Sequence, residues 1–101
     1  MAKLKITVLK TLDPAELFEV MPVERMGWMV PCEVFSEGEV FFVGDDLSMP
    51  EGFCPSAWRA LDHNVRTLIY GGVLPHHVEG DVAVNCCTDG LRPVIFKIER
   101  I

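Results

Sequence analysis

The run from Ser56 to Tyr70 is the strongest constraint on how this chain folds. Trp58, Leu61, Val65, Leu68 and Ile69 recur there at spacings of three and four, with Arg59, Asp62, His63 and Arg66 on the other side. That period marks an amphipathic helix with a single apolar stripe. Pro55 suits its first turn, Asp62 and Arg66 form an i,i+4 pair along it, and Gly71 and Gly72 supply the φ > 0 stop expected at its end. An apolar stripe must be buried against another element, and other apolar segments follow period two. The stripe therefore predicts a sheet beneath it.

Lys3 to Leu9 reads KLKITVL, placing Leu4, Ile6 and Val8 on one face and Lys3, Lys5 and Thr7 on the other, as in a half-buried strand. Asp13, Pro14 and Glu16 then form a helix start, with Asp as N-cap, Pro at N1 and Glu at N3, and with Leu12 and Leu17 spaced as a hydrophobic staple. The helix is expected over Pro14 to Met21, because Pro22 closes it. Glu33 to Val43 reads as two short extended pieces around the SEG turn, a hairpin or bent strand, and GDDLSMPEG and GGVLPHHVEG read as loops. Asp81 to Cys87 and Pro93 to Ile101 are strands around TDGLR, with Asp89 and Gly90 as the turn pair of an antiparallel hairpin. Between Pro22 and Pro31, Met26, Trp28 and Met29 read as an apolar loop packing on the core or on a neighbouring subunit.

The predicted order is β-α-β-β-α-β-β: one α+β domain over residues 1–101, mainly antiparallel, with one main helix and one short helix packed on the sheet. A length of 101 residues fits one domain, and 50% hydrophobic against 24% charged residues is enough to build a core without staples. The net charge of −6 repels phosphate backbones and anionic lipid, so no nucleic-acid partner is expected. MAKLKITVLKTLDP lacks the apolar core of a secretory signal, and no apolar run approaches the roughly 18 to 20 residues of a membrane span. The expected location is the cytoplasm, with no membrane association. There, cysteines serve as reduced thiols, metal ligands or redox groups rather than structural disulfides.

Four cysteines carry the strongest chemical signal. Cys32, Cys54 and Cys86 lie too far apart for a CxxC knuckle, so a zinc finger is not supported, whereas a site assembled in three dimensions stays open. Adjacent residues of a strand face opposite ways, so Cys86 should point with Val82 and Val84, and Cys87 with Ala83 and Asn85. Cys54, at the start of the main helix, would feel partial positive charge favouring the thiolate, against the plainer role of an N-cap or packed residue. His76 and His77, with Glu79 and Asp81, form a His and carboxylate cluster that suits a divalent ion or simply a polar loop. His63 reads as a solvated surface histidine. Asp45, Asp46 and Glu51 lack the spacing of a calcium loop, and GxSxG, Walker A and GxGxxG are absent.

The ending CCTDGLRPVIFKIER, the middle EGFCPSAW and the beginning KITVLKT together resemble a family of small uncharacterised prokaryotic proteins with a CCTDGLRPVIFK-type C-terminal motif. The resemblance spans nearly the whole chain. It rests most specifically on Cys86, Cys87, Thr88, Asp89, Gly90, Arg92 and Pro93, on Pro50, Gly52, Phe53, Cys54 and Trp58, and on Pro31, Cys32 and Phe35. The histidine pair is not part of that pattern. The resemblance implies that three cysteine-bearing segments meet, so that Cys32, Cys54 and one of Cys86 or Cys87 define a small pocket beside Asp89 and Arg92. Arg92 either shapes the turn through Asp89 or presents its guanidinium to an anionic ligand.

Two functions are carried forward. One is a cysteine-centred site within a homo-oligomer, binding zinc or an iron–sulfur cluster through Cys32, Cys54, Cys86 and Cys87 as candidate ligands, or acting as a thiol redox centre. The other is a non-enzymatic binding or assembly domain, whose cysteines are packing residues and whose Met26 to Val30 loop meets a partner.

Overall fold

A computed structural model of the protein describes residues 2–24, 26–27 and 30–101. Its elements run β1 (Ala2–Thr11), α1 (Pro14–Leu17), β2 (Val40–Gly44), α2 (Pro55–Ile69), β3 (Val82–Cys86) and β4 (Val94–Arg100). The four strands form an antiparallel sheet in the order β2-β1-β4-β3, so the two longest strands lie at its centre. This is the expected α+β fold, with one main and one short helix.

Period-two patterning sets which face of the sheet is buried. Leu4, Ile6 and Val8 of β1, Val43 of β2, Ala83 of β3 and Val94, Phe96 and Ile98 of β4 are buried on one face. Ala57, Leu61, Val65 and Leu68 of α2 close over them, and α2 packs on β1, β3 and β4. Among the described residues, no helix lies across the opposite face. There the register aligns Phe42, Lys5, Glu99 and Val82 in one row, and Val40, Thr7, Lys97 and Val84 in the next.

The ends of α2 are fixed differently. Pro55 stands in the first turn, where its missing N–H costs nothing, and Cys54 is the N-cap. At the other end, Gly71 has φ +83°, its N–H donates to the Leu68 carbonyl, and the Gly72 N–H donates to the Thr67 carbonyl at 2.8 Å. This double bond pattern closes a helix through a left-handed residue, which suits glycine. Arg100 Nη1 donates to the carbonyls of Leu68 at 2.9 Å and Gly72 at 2.8 Å, joining β4 to the negative end of α2.

Three local expectations are corrected. Helix α1 stops at Leu17 rather than Met21, although the Asp13–Glu16 capping box forms as predicted. Leu17, Phe18 and Val20 are exposed, so further turns would bury nothing to offset the entropy of propagating them. Of the two extended pieces around SEG, only the second is a strand. The SEG turn itself forms, with Gly38 at φ +86° and the Glu39 N–H donating to Ser36, and the stretch before it is an irregular segment anchored by buried Phe35. Between β3 and β4, Gly90 does not take positive φ. The Asp89 carboxylate organises that loop in place of an Asp-Gly turn. Of the predicted apolar loop, Trp28 and Met29 lie outside the described residues, and Met26 is exposed.

Candidate functional site

Aromatic packing brings the cysteine-bearing segments together. Phe35, three residues after Cys32, meets Phe53 at 4.9 Å between ring centroids and Phe96 of β4 at 5.0 Å, both edge to face. Phe53, the residue before Cys54, also contacts Phe41 at 5.0 Å and Trp58 of α2 at 5.8 Å. Such contacts add to the burial of the rings themselves. They pin the segment of Cys32 and the entry to α2 against the same end of the sheet.

The third cysteine arrives on the hairpin. The Cys87 N–H donates to the Val94 carbonyl at 3.0 Å, and the Val94 N–H donates to Cys87 Sγ at 3.3 Å, which orients the sulfur. Asn64 Nδ2 of α2 donates to Asn85 Oδ1 at 2.6 Å and ties the helix to this strand two residues upstream. Cys86 and Cys87 face opposite ways as their alternation requires. Cys86 is exposed and opposite Ile95, and Cys87 packs against the core.

Cys32, Cys54 and Cys87 consequently line one cavity of about 240 Å³, together with Val34, Phe35, Ser56, Ala57, Thr88, Asp89, Arg92 and Val94. All three thiols are free and half-buried. Cys54 makes no side-chain capping bond to α2, so its thiol is not committed to holding the helix end. Cys86 does not line this cavity.

Asp89 and Arg92 form the polar wall. Asp89 Oδ1 accepts the N–H groups of Leu91 at 2.9 Å and Arg92 at 3.2 Å, and Oδ2 accepts Arg92 Nε at 3.2 Å. Burial pushes the carboxyl up, but the two backbone donors and the guanidinium outweigh it and hold Asp89 below its ordinary value. Arg92 Nη1 also donates to the Val30 carbonyl at 3.2 Å, across to the Cys32 segment. Arg92 thus takes the first of its two expected roles, shaping the turn through Asp89, and it also lines the cavity.

A second, shallower groove adjoins the first. Cys32, Val34 and Arg92 are common to both, and Val30 and Glu33 complete the outer one. Elsewhere, the rings of His76 and His77 meet edge to face at 4.7 Å, and His77 and Glu79 line a groove with Val82, Val84 and Lys97. Among the described residues, no group of three or more His, Cys, Asp or Glu side chains is placed to hold a metal ion. Ser56, Thr88 and Glu33 were not singled out as site residues from the sequence. Ser56 and Glu33 are immediate neighbours of Pro55 and Cys32 and carry no pattern of their own.

Comparison of the chain with family models, curated proteins and solved structures finds no match.

Proposed function

We propose that the protein acts as a thiol redox centre through Cys32, Cys54 and Cys87. The observation that carries this reading is the convergence of three free thiols, from three separate segments, on one cavity. One cavity thiol loses its proton and attacks a sulfur of an incoming disulfide, whose S–S bond breaks as the far sulfur leaves with the electron pair. A second cavity thiol then attacks the mixed disulfide, forming a protein disulfide and releasing the other sulfur as a thiol. Two protein thiols are oxidised and one disulfide is reduced to two thiols, so protons and electrons balance.

The test is oxidation of the native protein by a low-molecular-weight disulfide, followed by peptide mapping without reduction. The expected product links two of Cys32, Cys54 and Cys87, with Cys86 outside the bond. An adduct confined to Cys86, with three unreacted cavity thiols, would overturn the proposal.

A second reading concerns assembly, and the uncovered face of the sheet favours it. On edge strand β2, Phe42 is 54% exposed with Val40 two residues away on the same face, while Val84, 58% exposed, stands at the opposite edge on β3, and exposed apolar side chains of this kind commonly mark a contact between protein copies. We propose a homo-oligomer formed through this face. Sedimentation velocity should show an oligomer that Phe42→Lys dissociates, and a wild-type monomer at all concentrations would sink this reading.

A further inference from the structure

We infer that a second copy meets the uncovered face about a two-fold axis running parallel to the strands, between β1 and β4, so that Lys5 faces the partner's Glu99 and Phe42 enters a groove along the partner's β3. The inference rests on the assembly reading above and gives it a geometry. It starts from the order of residues across the face. Read from β2 to β3, one row runs Phe42, Lys5, Glu99, Val82, and the next runs Val40, Thr7, Lys97, Val84. The apolar residues stand at the two edges, and the polar and charged ones stand between them.

A half-turn about that axis lays each row on its own reverse, with the strands of the two sheets nearly aligned. Residue i then meets j and j meets i, as an isologous contact requires. Phe42 comes over the partner's Val82, and Lys5 over the partner's Glu99. Val40 comes over the partner's Val84, and Thr7 over the partner's Lys97. Apolar groups meet apolar groups, opposite charges meet, and a hydroxyl accepts from an ammonium. The relief of the surface agrees. Phe42 is exposed at its edge, and at the opposite edge Val82, Val84 and Lys97 line a groove of about 430 Å³ with His77 and Glu79, which has room for a phenyl ring.

Charge decides between the possible axes. All four lysines of the chain, Lys3, Lys5, Lys10 and Lys97, lie on β1 and β4. Lys3 reaches Asp45 at 3.9 Å, and Lys97 reaches Glu99 Oε2 at 3.8 Å. Lys5 is half-buried and, among the described residues, takes part in no ion pair. Covering its ammonium without a counter-charge would be costly. An axis at right angles to the strands does that, because it lays Lys5 on the partner's Thr7. The parallel axis brings it the partner's Glu99. The Lys97 contact to that carboxylate is longer than a hydrogen bond, and a carboxylate with two acceptor oxygens can take a second cation. Side chains stand roughly perpendicular to a sheet, so both charges are presented toward the other copy.

Charge reversal tests the axis by sedimentation velocity. Lys5→Glu and Glu99→Lys, each alone, should weaken self-association roughly tenfold or more, because each sets like charges against one another twice in the dimer. Mixed one to one, the two variants should associate with each other as the wild type does. Each chain in that mixture still carries like charges within its own sheet, so the recovery reports contact between chains. Both variants keep a net negative charge, so bulk attraction does not draw them together. Circular dichroism of each variant, matching that of the wild type, confirms that the fold is kept.

An oligomer that Phe42→Lys dissociates and Lys5→Glu leaves intact would overturn this axis and leave the assembly reading standing. Charge variants that weaken association but do not recover on mixing would do the same. A wild type that is monomeric at all concentrations, or an oligomer indifferent to Phe42→Lys and to both charge reversals, would overturn the assembly reading and this inference with it.

Discussion

Two neighbouring residues, Cys86 and Cys87, show how far a single peptide bond can separate chemical environments. Strand alternation alone assigns one to each face of the sheet, so their division was legible in the sequence. What alternation does not supply is the Val94 N–H that holds the Cys87 sulfur, because that contact depends on the hairpin register. Asp89 teaches the same lesson. An Asp-Gly pair suggests a tight turn, but this loop is longer, and the carboxylate itself takes over the role of the turn.

That role makes Asp89 a source of acid sensitivity. Its folded pKa lies below the ordinary 3.8, so it contributes stability above that value and loses the contribution as pH falls through the lower folded value. Asp89→Asn should cost about 1 kcal/mol at neutral pH, kept modest by solvent screening of a side chain 40% exposed. Urea unfolding across the acid range should show the gap between the two proteins closing below the ordinary value.

At the scale of elements, α2 and the two central strands were legible because their apolar residues repeat with a local period. The short helix and the segment before SEG were not, because their outcome depends on what distant surface is available to bury. Phe35 illustrates this, since its partners Phe53 and Phe96 come from elsewhere in the chain and no local pattern pairs them. The cavity inherits the same limit. Its cysteines could be nominated from the sequence, but their convergence rests on these aromatic contacts. Phe35→Ala should destabilise the fold by about 3 to 5 kcal/mol, the usual range for truncating a buried phenylalanine. It should also speed maleimide labelling of Cys32 under native conditions, and unchanged labelling would separate Phe35 from the placing of that thiol.

The end of α2 offers a sharper steric test. A β-carbon added to Gly72 would lie 2.9 Å from both the Thr67 methyl and the Thr67 carbonyl oxygen, and the backbone atom cannot yield as a flexible side chain would. Gly72→Ala should therefore cost about 1 to 3 kcal/mol by overpacking, measured by thermal or denaturant unfolding. A neutral substitution would mean that the helix end moves freely, against the bonds that Arg100 makes there.

For the whole molecule, the sequence indicated an α+β class but not the arrangement β2-β1-β4-β3, because strand order is decided by pairings that leave no trace in local periodicity. Among the described residues, no helix is long and apolar enough to cross a membrane. The net charge of −6 and the exposed apolar residues at the edges of that face, Phe42, Val40 and Val84, act in opposite directions on association. The oligomer proposed above should consequently tighten as salt is raised, which sedimentation at two ionic strengths would measure.

The pairing at the middle of the sheet also governs how the chain reaches this state. β1 lies against β4, with Leu4 opposite Arg100, so the central contacts join residues nearly the whole sequence apart. This is a topology of high contact order, in which loop-closure entropy is spent before the contacts that reward it can form. Folding should be slow for so small a domain, in the millisecond to second range by stopped-flow fluorescence. During synthesis β2 reaches β1 first, but the other edge of β1 stays open until β4 emerges, and a nascent chain of this kind depends on keeping that edge unpaired until then.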